Sequence, residues 1–196
     1  MTNQLDTDKL PAAVQRVAFA LRTVGWVSFW VQSVLAVVAG IILLFAIPFA
    51  IPSATAAASS TSAGTGGGVF FAICGLLVLG YSVFRAFRFT RLSRQLRSPA
   101  NAVRPKKADT IKQVQLTLVS NLVGMLLTLV GAEAISGTLL AKSLAQPQAL
   151  FGATVDVGRF IQPLDIFVVL ANTHATVAHF VGIVGTLWLL DRIHKQ

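Results

Sequence analysis

Charged side chains are missing from a long stretch in the first half of this chain. Residues 23–84 of the 196 contain no Asp, Glu, Lys, Arg or His. An uninterrupted segment of this kind has no place on the surface of a small soluble domain. One crossing of a bilayer needs about 20 apolar residues. The missing charge therefore excludes a soluble domain here and predicts two membrane crossings.

Acidic residues are also scarce, with 7 Asp and Glu against 16 Lys and Arg and a net charge of +9. In a soluble protein this balance would suggest nucleic acid as a partner. The sequence has no aromatic-basic platform or groove-reading motif. Basic flanks of membrane spans beside anionic lipid account for the charge instead. We therefore expect the lipid bilayer, and no nucleic acid, as a partner.

The sequence also lacks reactive and metal-binding motifs. Cys74 is the one cysteine, which excludes an internal disulfide. The chain has no HxxH, CxxC or HExxH metal motif, no phosphate loop and no nucleophile elbow. We predict that it is not an enzyme and has no resident cofactor. Oxygen and imidazole groups in the spans could hold iron or another divalent metal transiently, although their spacing defines no site: Glu133, Asp165, His174 and His179.

Four apolar segments have the length of membrane spans, at about 25–50, 69–89, 112–140 and 163–190. They predict an all-α integral membrane protein, a four-transmembrane-helix bundle occupying residues 25–192 after a polar arm and amphipathic helix over 1–24. Pro48 and Pro52 predict the end of the first span. Residues 145–162 are expected to form the second outer loop.

The end of the N-terminal arm is amphipathic. Leu10, Val14, Val17, Leu21 and Val24 recur at spacings of four and three, which places them on one helical face. This pattern predicts a helix lying in the cytoplasmic interface and running into the first span.

Basic residues define an orientation. Fourteen of the 16 Lys and Arg lie in the N-terminal arm, the loop between the second and third spans, and the tail. The two opposite loops hold Lys142 and Arg159. Because Lys and Arg accumulate in cytoplasmic loops, both termini are predicted to be cytoplasmic. The interfacial aromatics agree, since they lie toward the predicted inner ends: Trp26, Trp30, Tyr81 and Trp188.

Arginine recurs at every third position after the second span, at Arg85, Arg88, Arg91, Arg94 and Arg97. This spacing is typical of voltage-sensing helices. However, each step of three residues turns the next Arg back by about 60°, so the five fan around the helix. We interpret the run as a cytoplasmic extension whose side chains face lipid phosphates.

The fourth span carries the main candidate site. Asp165, Asn172 and His179 are spaced seven residues apart and form one stripe with Thr176, whereas His174 points the opposite way. Polar groups at membrane depth must face protein or water. The stripe is therefore either a wet, ion-coordinating path or hydrogen-bonding glue between helices.

Two other spans have small or polar faces. The third span aligns Thr117, Asn121, Gly124, Thr128 and Gly131, which favours close packing against a neighbour. The first span aligns Ser28, Gln32, Ala36 and Ala39.

Glu133 lies off the face of the third span and is a candidate acid. It is either a buried proton- or metal-binding group or an interfacial acid near the outer headgroups.

Several short stretches resemble a known family. They include Ser28-Phe-Trp-Val-Gln32, Thr90-Arg-Leu-Ser-Arg-Gln-Leu-Arg97, Ala108-Asp-Thr-Ile-Lys112 and His179-Phe-Val-Gly182. Scattered similarity over about residues 25–192 resembles the cyanobacterial and plastid family of the small Tic inner-envelope translocon subunit, also described as "permease in chloroplasts". With no long targeting extension before the first span, a cyanobacterial relative in the plasma or thylakoid membrane is expected.

The resemblance implies four membrane helices and a role in either metal transport or protein import. The first hypothesis is a permease-like component in iron or other divalent metal transport and homeostasis, for which four short spans favour a homo-oligomer. The second is a non-transporting subunit that supports protein translocation or assembly of a membrane complex, including a photosynthetic one. No ligand residues are transferred from the family.

Overall fold

A computed structural model describes residues 12–56, 63–96, 107–151 and 160–195 of the chain. Four helices account for almost all of them: α1 (Ala12–Ala56), α2 (Ala63–Leu96), α3 (Lys107–Phe151) and α4 (Pro163–His194). The described residues contain no strand. All four helices are long and apolar enough to cross a membrane, which confirms the predicted fold class.

The helices are longer than the predicted spans at three places. Helix α1 continues through Pro48 and Pro52 to Ala56, so these prolines do not end the helix, although the candidate membrane span within it is Val14–Ala46. Prolines are tolerated in membrane helices because neighbouring groups and local adjustments satisfy the freed carbonyls. Helix α2 runs on through Arg94, and α3 extends to Phe151 into the predicted outer loop.

The predicted amphipathic helix is the first part of α1 and continues into the span without a break. Its apolar face packs inward against the core of unit 1. Leu21 is completely buried, and Val14 and Val17 pack against the same core cluster. Leu10 lies outside the described residues. An apolar helical face recognised in the sequence is thus as well suited to the core of a helical bundle as to a lipid surface.

Many large apolar side chains are exposed and several polar ones are buried, unlike the usual distribution in a soluble protein. Leu44, Phe45 and Leu77 are 68%, 69% and 70% exposed, whereas Asn121 and His179 are 0% exposed. In water such large apolar side chains would be expected inside. Exposed apolar side chains and buried polar ones suit a lipid environment, where polar groups must find partners inside the protein.

The helices divide into two compact units, and every helix contributes to both. Unit 1 comprises Met1–Val34, Leu79–Val123 and Ala178–Gln196. Its apolar core centres on Leu21, Phe89 and Leu189, all at most 1% exposed. Gly25 allows close approach of α1 and α2, since a Cβ there would lie 3.1 Å from the Ala86 carbonyl oxygen.

Unit 2 comprises Leu35–Val78 and Gly124–Val177. Small residues dominate its core, including Ala39, Ala72 and Ala171, with Leu43 and Ile135 filling the space between them. A Cβ at Gly131 would lie 3.4 Å from the backbone nitrogen of Ala72. Small side chains let membrane helices approach closely and gain van der Waals contact.

Candidate functional site

Three polar side chains from three helices meet in unit 1. Gln32 of α1 donates through Nε2 to Asn121 Oδ1 of α3 at 2.9 Å, and to the Ala178 carbonyl of α4 at 3.1 Å. His179 Nδ1 lies 3.3 Å from the same Asn121 oxygen. All three side chains are at most 1% exposed. We call Gln32, Asn121 and His179 the amide–imidazole cluster.

The cluster has one consistent arrangement of hydrogen-bond donors. A backbone carbonyl can only accept, so the Gln32 atom facing Ala178 is the amide nitrogen. That nitrogen then requires an acceptor on Asn121, whose own Nδ2 donates to the Thr117 carbonyl at 2.9 Å. His179 Nδ1 therefore carries a proton and donates. In the neutral ring the lone pair then resides on Nε2.

Gly182 makes room for the cluster on α4. A Cβ at this position would collide with Gln32 Nε2 and with the Asn121 side-chain amide. One turn further, Thr186 donates to the Gly182 carbonyl at 2.8 Å, so its hydroxyl is satisfied within α4. The cluster thus depends on a glycine at the point where the amides cross α4.

Ser82 brings a polar group of α2 to the same level of unit 1. Ser82 lies about one turn before Arg85 on α2, and Arg85 contacts Thr117 of α3. Asn121 lies about one turn after Thr117 on the antiparallel α3, so Ser82 and Asn121 are at a similar height. The Ser82 hydroxyl is buried and has no partner among the described residues. A buried unpaired hydroxyl costs about 1–3 kcal/mol, so it marks a place where water or a polar ligand would be stabilised.

Asn172 occupies a separate polar site in unit 2. Its Nδ2 donates to the Thr128 carbonyl of α3 at 2.8 Å. Its Oδ1 is buried without a partner among the described residues. Thr176 donates to the Asn172 carbonyl at 2.9 Å and so is satisfied within α4. Asn172 therefore links two helices while keeping one acceptor unused.

Asp165 has structural partners that the sequence analysis missed. Both carboxylate oxygens accept from Lys142 Nζ, at 2.7 and 2.8 Å. One of them also accepts from the Gln162 backbone N–H at 2.9 Å, capping the start of α4. The sequence signal for this pair was the opposite charge of Lys142, near the end of the third span, and Asp165, near the start of the fourth. Asp165 is thus neutralised by a lysine.

The other two candidate ligands lie away from the buried polar groups. Glu133 is exposed on the surface of unit 2, so the buried-acid alternative is wrong. His174 is only partly buried, and its Nδ1 lies 2.7 Å from the Leu170 carbonyl one turn earlier. The described residues contain no group of three His, Cys, Asp or Glu side chains close enough to hold a metal.

The arginine run divides into buried and exposed members. Arg85 is only 6% exposed and contacts Thr117 of α3. Arg88, Arg91 and Arg94 are exposed, and the Arg91 guanidinium lies 5.4 Å from the centre of the Phe87 ring. Arg97 lies outside the described residues. Arg85 shares a helical face with Ser82 and Phe89, which is why it alone turns inward.

Fold and site define an all-α integral membrane protein with four candidate spans and buried polar contacts between them. The family model described as "Protein of unknown function (DUF3611)" matches residues 11–194. The chain belongs to this family.

A curated relative confirms the resemblance noted in the sequence. The chain is 33% identical over 200 residues to Protein TIC 21, chloroplastic, of Arabidopsis thaliana. The alignment covers 97% of this chain and 63% of that protein, so the chain spans less than two thirds of its relative's length. No solved structure matches the chain.

Proposed function

We propose that this protein is a permease-like membrane component that takes part in iron or other divalent metal transport. The amide–imidazole cluster carries the proposal, because it brings an imidazole and two amides into the interior of a bundle with apolar outer faces. Ionisable and strongly polar groups inside membrane helices are costly and commonly mark ion pathways.

The chemistry of the cluster suits weak and reversible handling of a metal. Imidazole is a good ligand for first-row divalent ions, whereas the amide oxygen of Asn121 is a weak one. Passage through a membrane requires binding that is favourable enough for entry and weak enough for release. One imidazole with neutral neighbours meets this requirement better than a closed set of four strong ligands would.

Unpaired polar atoms support a hydrated interior in each unit. The Ser82 hydroxyl in unit 1 and the Asn172 Oδ1 in unit 2 are buried without partners among the described residues. Water bridging such groups would recover the lost hydrogen bonds. A metal ion moving with part of its hydration shell needs such a polar lining.

Uptake of radiolabelled ferrous iron into proteoliposomes that contain only this protein tests the proposal. We expect uptake above that of empty liposomes. His179→Leu should reduce the rate by about tenfold or more, since loss of a metal contact worth about 1.4 kcal/mol changes a rate or affinity tenfold. His174→Leu is the matched control and should retain uptake, because the hydrogen bond of the His174 ring goes to the Leu170 carbonyl of its own helix.

The melting temperature of each variant in detergent separates transport from packing. Lost uptake with a melting temperature within about 2 °C of the wild type would support a direct role for His179. Equal uptake by both variants would contradict the proposal.

The second candidate is a non-transporting subunit of a protein-translocation or membrane-assembly machinery. The relative named Protein TIC 21 and the mutual hydrogen bonding of Gln32, Asn121 and His179 favour it, since such contacts also hold membrane helices together. Absence of iron uptake together with stable co-purification of a membrane complex from the native host would select this function.

A further inference from the structure

Arg85 is a buried cation with an unusual set of partners. Its Nε donates to Thr117 Oγ1 at 3.2 Å, and its Nη2 donates to the Gln113 carbonyl at 2.8 Å. Both acceptors belong to α3, so the guanidinium is held between α2 and α3 within unit 1. Thr117 also donates to the Gln113 carbonyl at 2.9 Å, which fixes the hydroxyl that receives the Arg85 bond.

No carboxylate among the described residues pairs with Arg85; the ion pairs there join Lys142 to Asp165 and Lys195 to Asp191. A charge that is 94% buried, given its 6% exposure, carries a large desolvation cost unless an opposite charge accompanies it. A hydroxyl and a carbonyl satisfy two of its five N–H groups. The described residues thus leave the positive charge without a compensating carboxylate.

The remaining guanidinium N–H groups are not sealed inside the protein. The buried side-chain atoms without a hydrogen-bond partner in the described structure are Ser82 Oγ and Asn172 Oδ1, and no Arg85 nitrogen is among them. The unused edge of the guanidinium therefore reaches the surface of unit 1. A planar edge with paired N–H groups matches the oxygens of a phosphate.

The depth of Arg85 suits a lipid headgroup. It is the first charge after the uncharged residues 23–84 and begins the basic run. Tyr81, 46% exposed, lies four residues or about 6 Å earlier along α2. Gly25, next to the exposed Trp26, packs against Ala86. Exposed aromatic rings of this kind mark the membrane–water boundary.

Two further cations lie close in sequence to Arg85 and to its acceptor Gln113. Arg88 follows one turn along α2, and Lys112 precedes Gln113 on α3; both are exposed. We propose that Arg85, positioned by Thr117 and the Gln113 carbonyl, binds the phosphate of an anionic lipid headgroup in a site between α2 and α3. Arg88 and Lys112 add attraction at the rim, whereas Arg85 supplies the fixed hydrogen bonds.

Native mass spectrometry of the full chain in an uncharged detergent tests this site. Phosphatidylglycerol and phosphatidylcholine are titrated separately, and the bound lipid is counted. We expect one tightly held phosphatidylglycerol. Arg85→Met should weaken its binding by about tenfold or more, as expected for loss of charge-assisted hydrogen bonds. Arg94→Met removes one exposed charge from the same helix and should change binding by about twofold or less.

Thr117→Val keeps the charge of Arg85 and removes one of its supports. It should weaken phosphatidylglycerol binding by at least about threefold. If Arg85→Met does not fold, Thr117→Val is the variant that tests the site. Equal effects of Arg85→Met and Arg94→Met, or equal binding of both lipids, would overturn the site. Competition by millimolar inorganic phosphate would overturn the lipid as the source, since free phosphate would then be the occupant.

Discussion

At the scale of single residues, the Ala178 carbonyl determines the hydrogen-bonding roles of three side chains. It can only accept, so it fixes the Gln32 amide, and through it the Asn121 amide and the His179 ring. The contact that joins α3 to α4 therefore uses the Nδ1–H of His179.

Asn121→Leu should be among the most destabilising single changes in unit 1. It would leave the Gln32 Nε2 and His179 Nδ1 donors without their shared acceptor, each buried. We expect a loss of about 1–3 kcal/mol in the free energy of unfolding. Unfolding by sodium dodecyl sulfate in mixed micelles, followed by circular dichroism, measures it.

A double-mutant cycle with Gln32→Leu provides the control for that change. Removing both amides leaves fewer orphaned donors, so the double variant should lose clearly less than the sum of the two single variants. Additive losses would show that Gln32 and Asn121 do not share the bond.

At the scale of helices, two glycines differ in their surroundings: Gly182 of α4 is closely packed, whereas Gly80 of α2 is exposed. Gly182 lies under the amide–imidazole cluster, where a Cβ would meet side chains held by hydrogen bonds. Gly80 has nothing within 4 Å of its Cβ position and is exposed. The same substitution should therefore have opposite effects at the two positions.

Gly182→Ala should destabilise the protein by about 1–3 kcal/mol, because overpacking forces neighbouring side chains to shift. Gly80→Ala should be neutral or stabilise the chain by up to about 1 kcal/mol, since alanine restricts the unfolded chain and suits a helix. Melting temperatures of the two variants in one detergent measure the difference. A stability for Gly182→Ala equal to or above that of Gly80→Ala would contradict the packing of α4 against the amides.

Helix positions followed from the sequence more readily than their ends or contacts. Apolar length predicted four spans, and α4 begins at Pro163 as expected. Helix α1 runs past Pro48 and Pro52 because proline signals a helix end more reliably in water than in lipid. The Lys142–Asp165 pair was missed because span periodicity describes one helix at a time, whereas an ion pair depends on the register between two.

The sequence predicted which faces of the spans carry polar side chains, but it did not predict the hydrogen-bond partners of those side chains. The small and polar faces of the first, third and fourth spans are buried at Gln32, Asn121, Asn172 and His179. Seven-residue spacing grouped Asp165 with Asn172 and His179, yet the structure gives the three side chains separate partners. Helical periodicity gives direction around an axis, whereas hydrogen bonding depends on depth and on the facing helix.

At the scale of the whole molecule, the orientation in the membrane follows from the distribution of charge. Fourteen of the 16 Lys and Arg residues lie in the N-terminal arm, the C-terminal tail and the segment 85–112, which includes the loop between α2 and α3. The lipid site proposed at Arg85 has the same polarity, because anionic lipids enrich the cytoplasmic leaflet and attract basic segments. We predict that both termini and this loop are cytoplasmic.

Accessibility of single cysteines in intact cells tests the orientation. In a Cys74→Ser background, cysteine replaces Ser60, Arg104 or Gln148 one at a time, and a membrane-impermeant maleimide is added outside. The positive-inside distribution predicts labelling at Ser60 and Gln148 and protection at Arg104. Labelling after detergent permeabilisation is the control and should reveal Arg104. Labelling of Arg104 alone in intact cells would reverse the orientation and move Arg85 to the opposite leaflet.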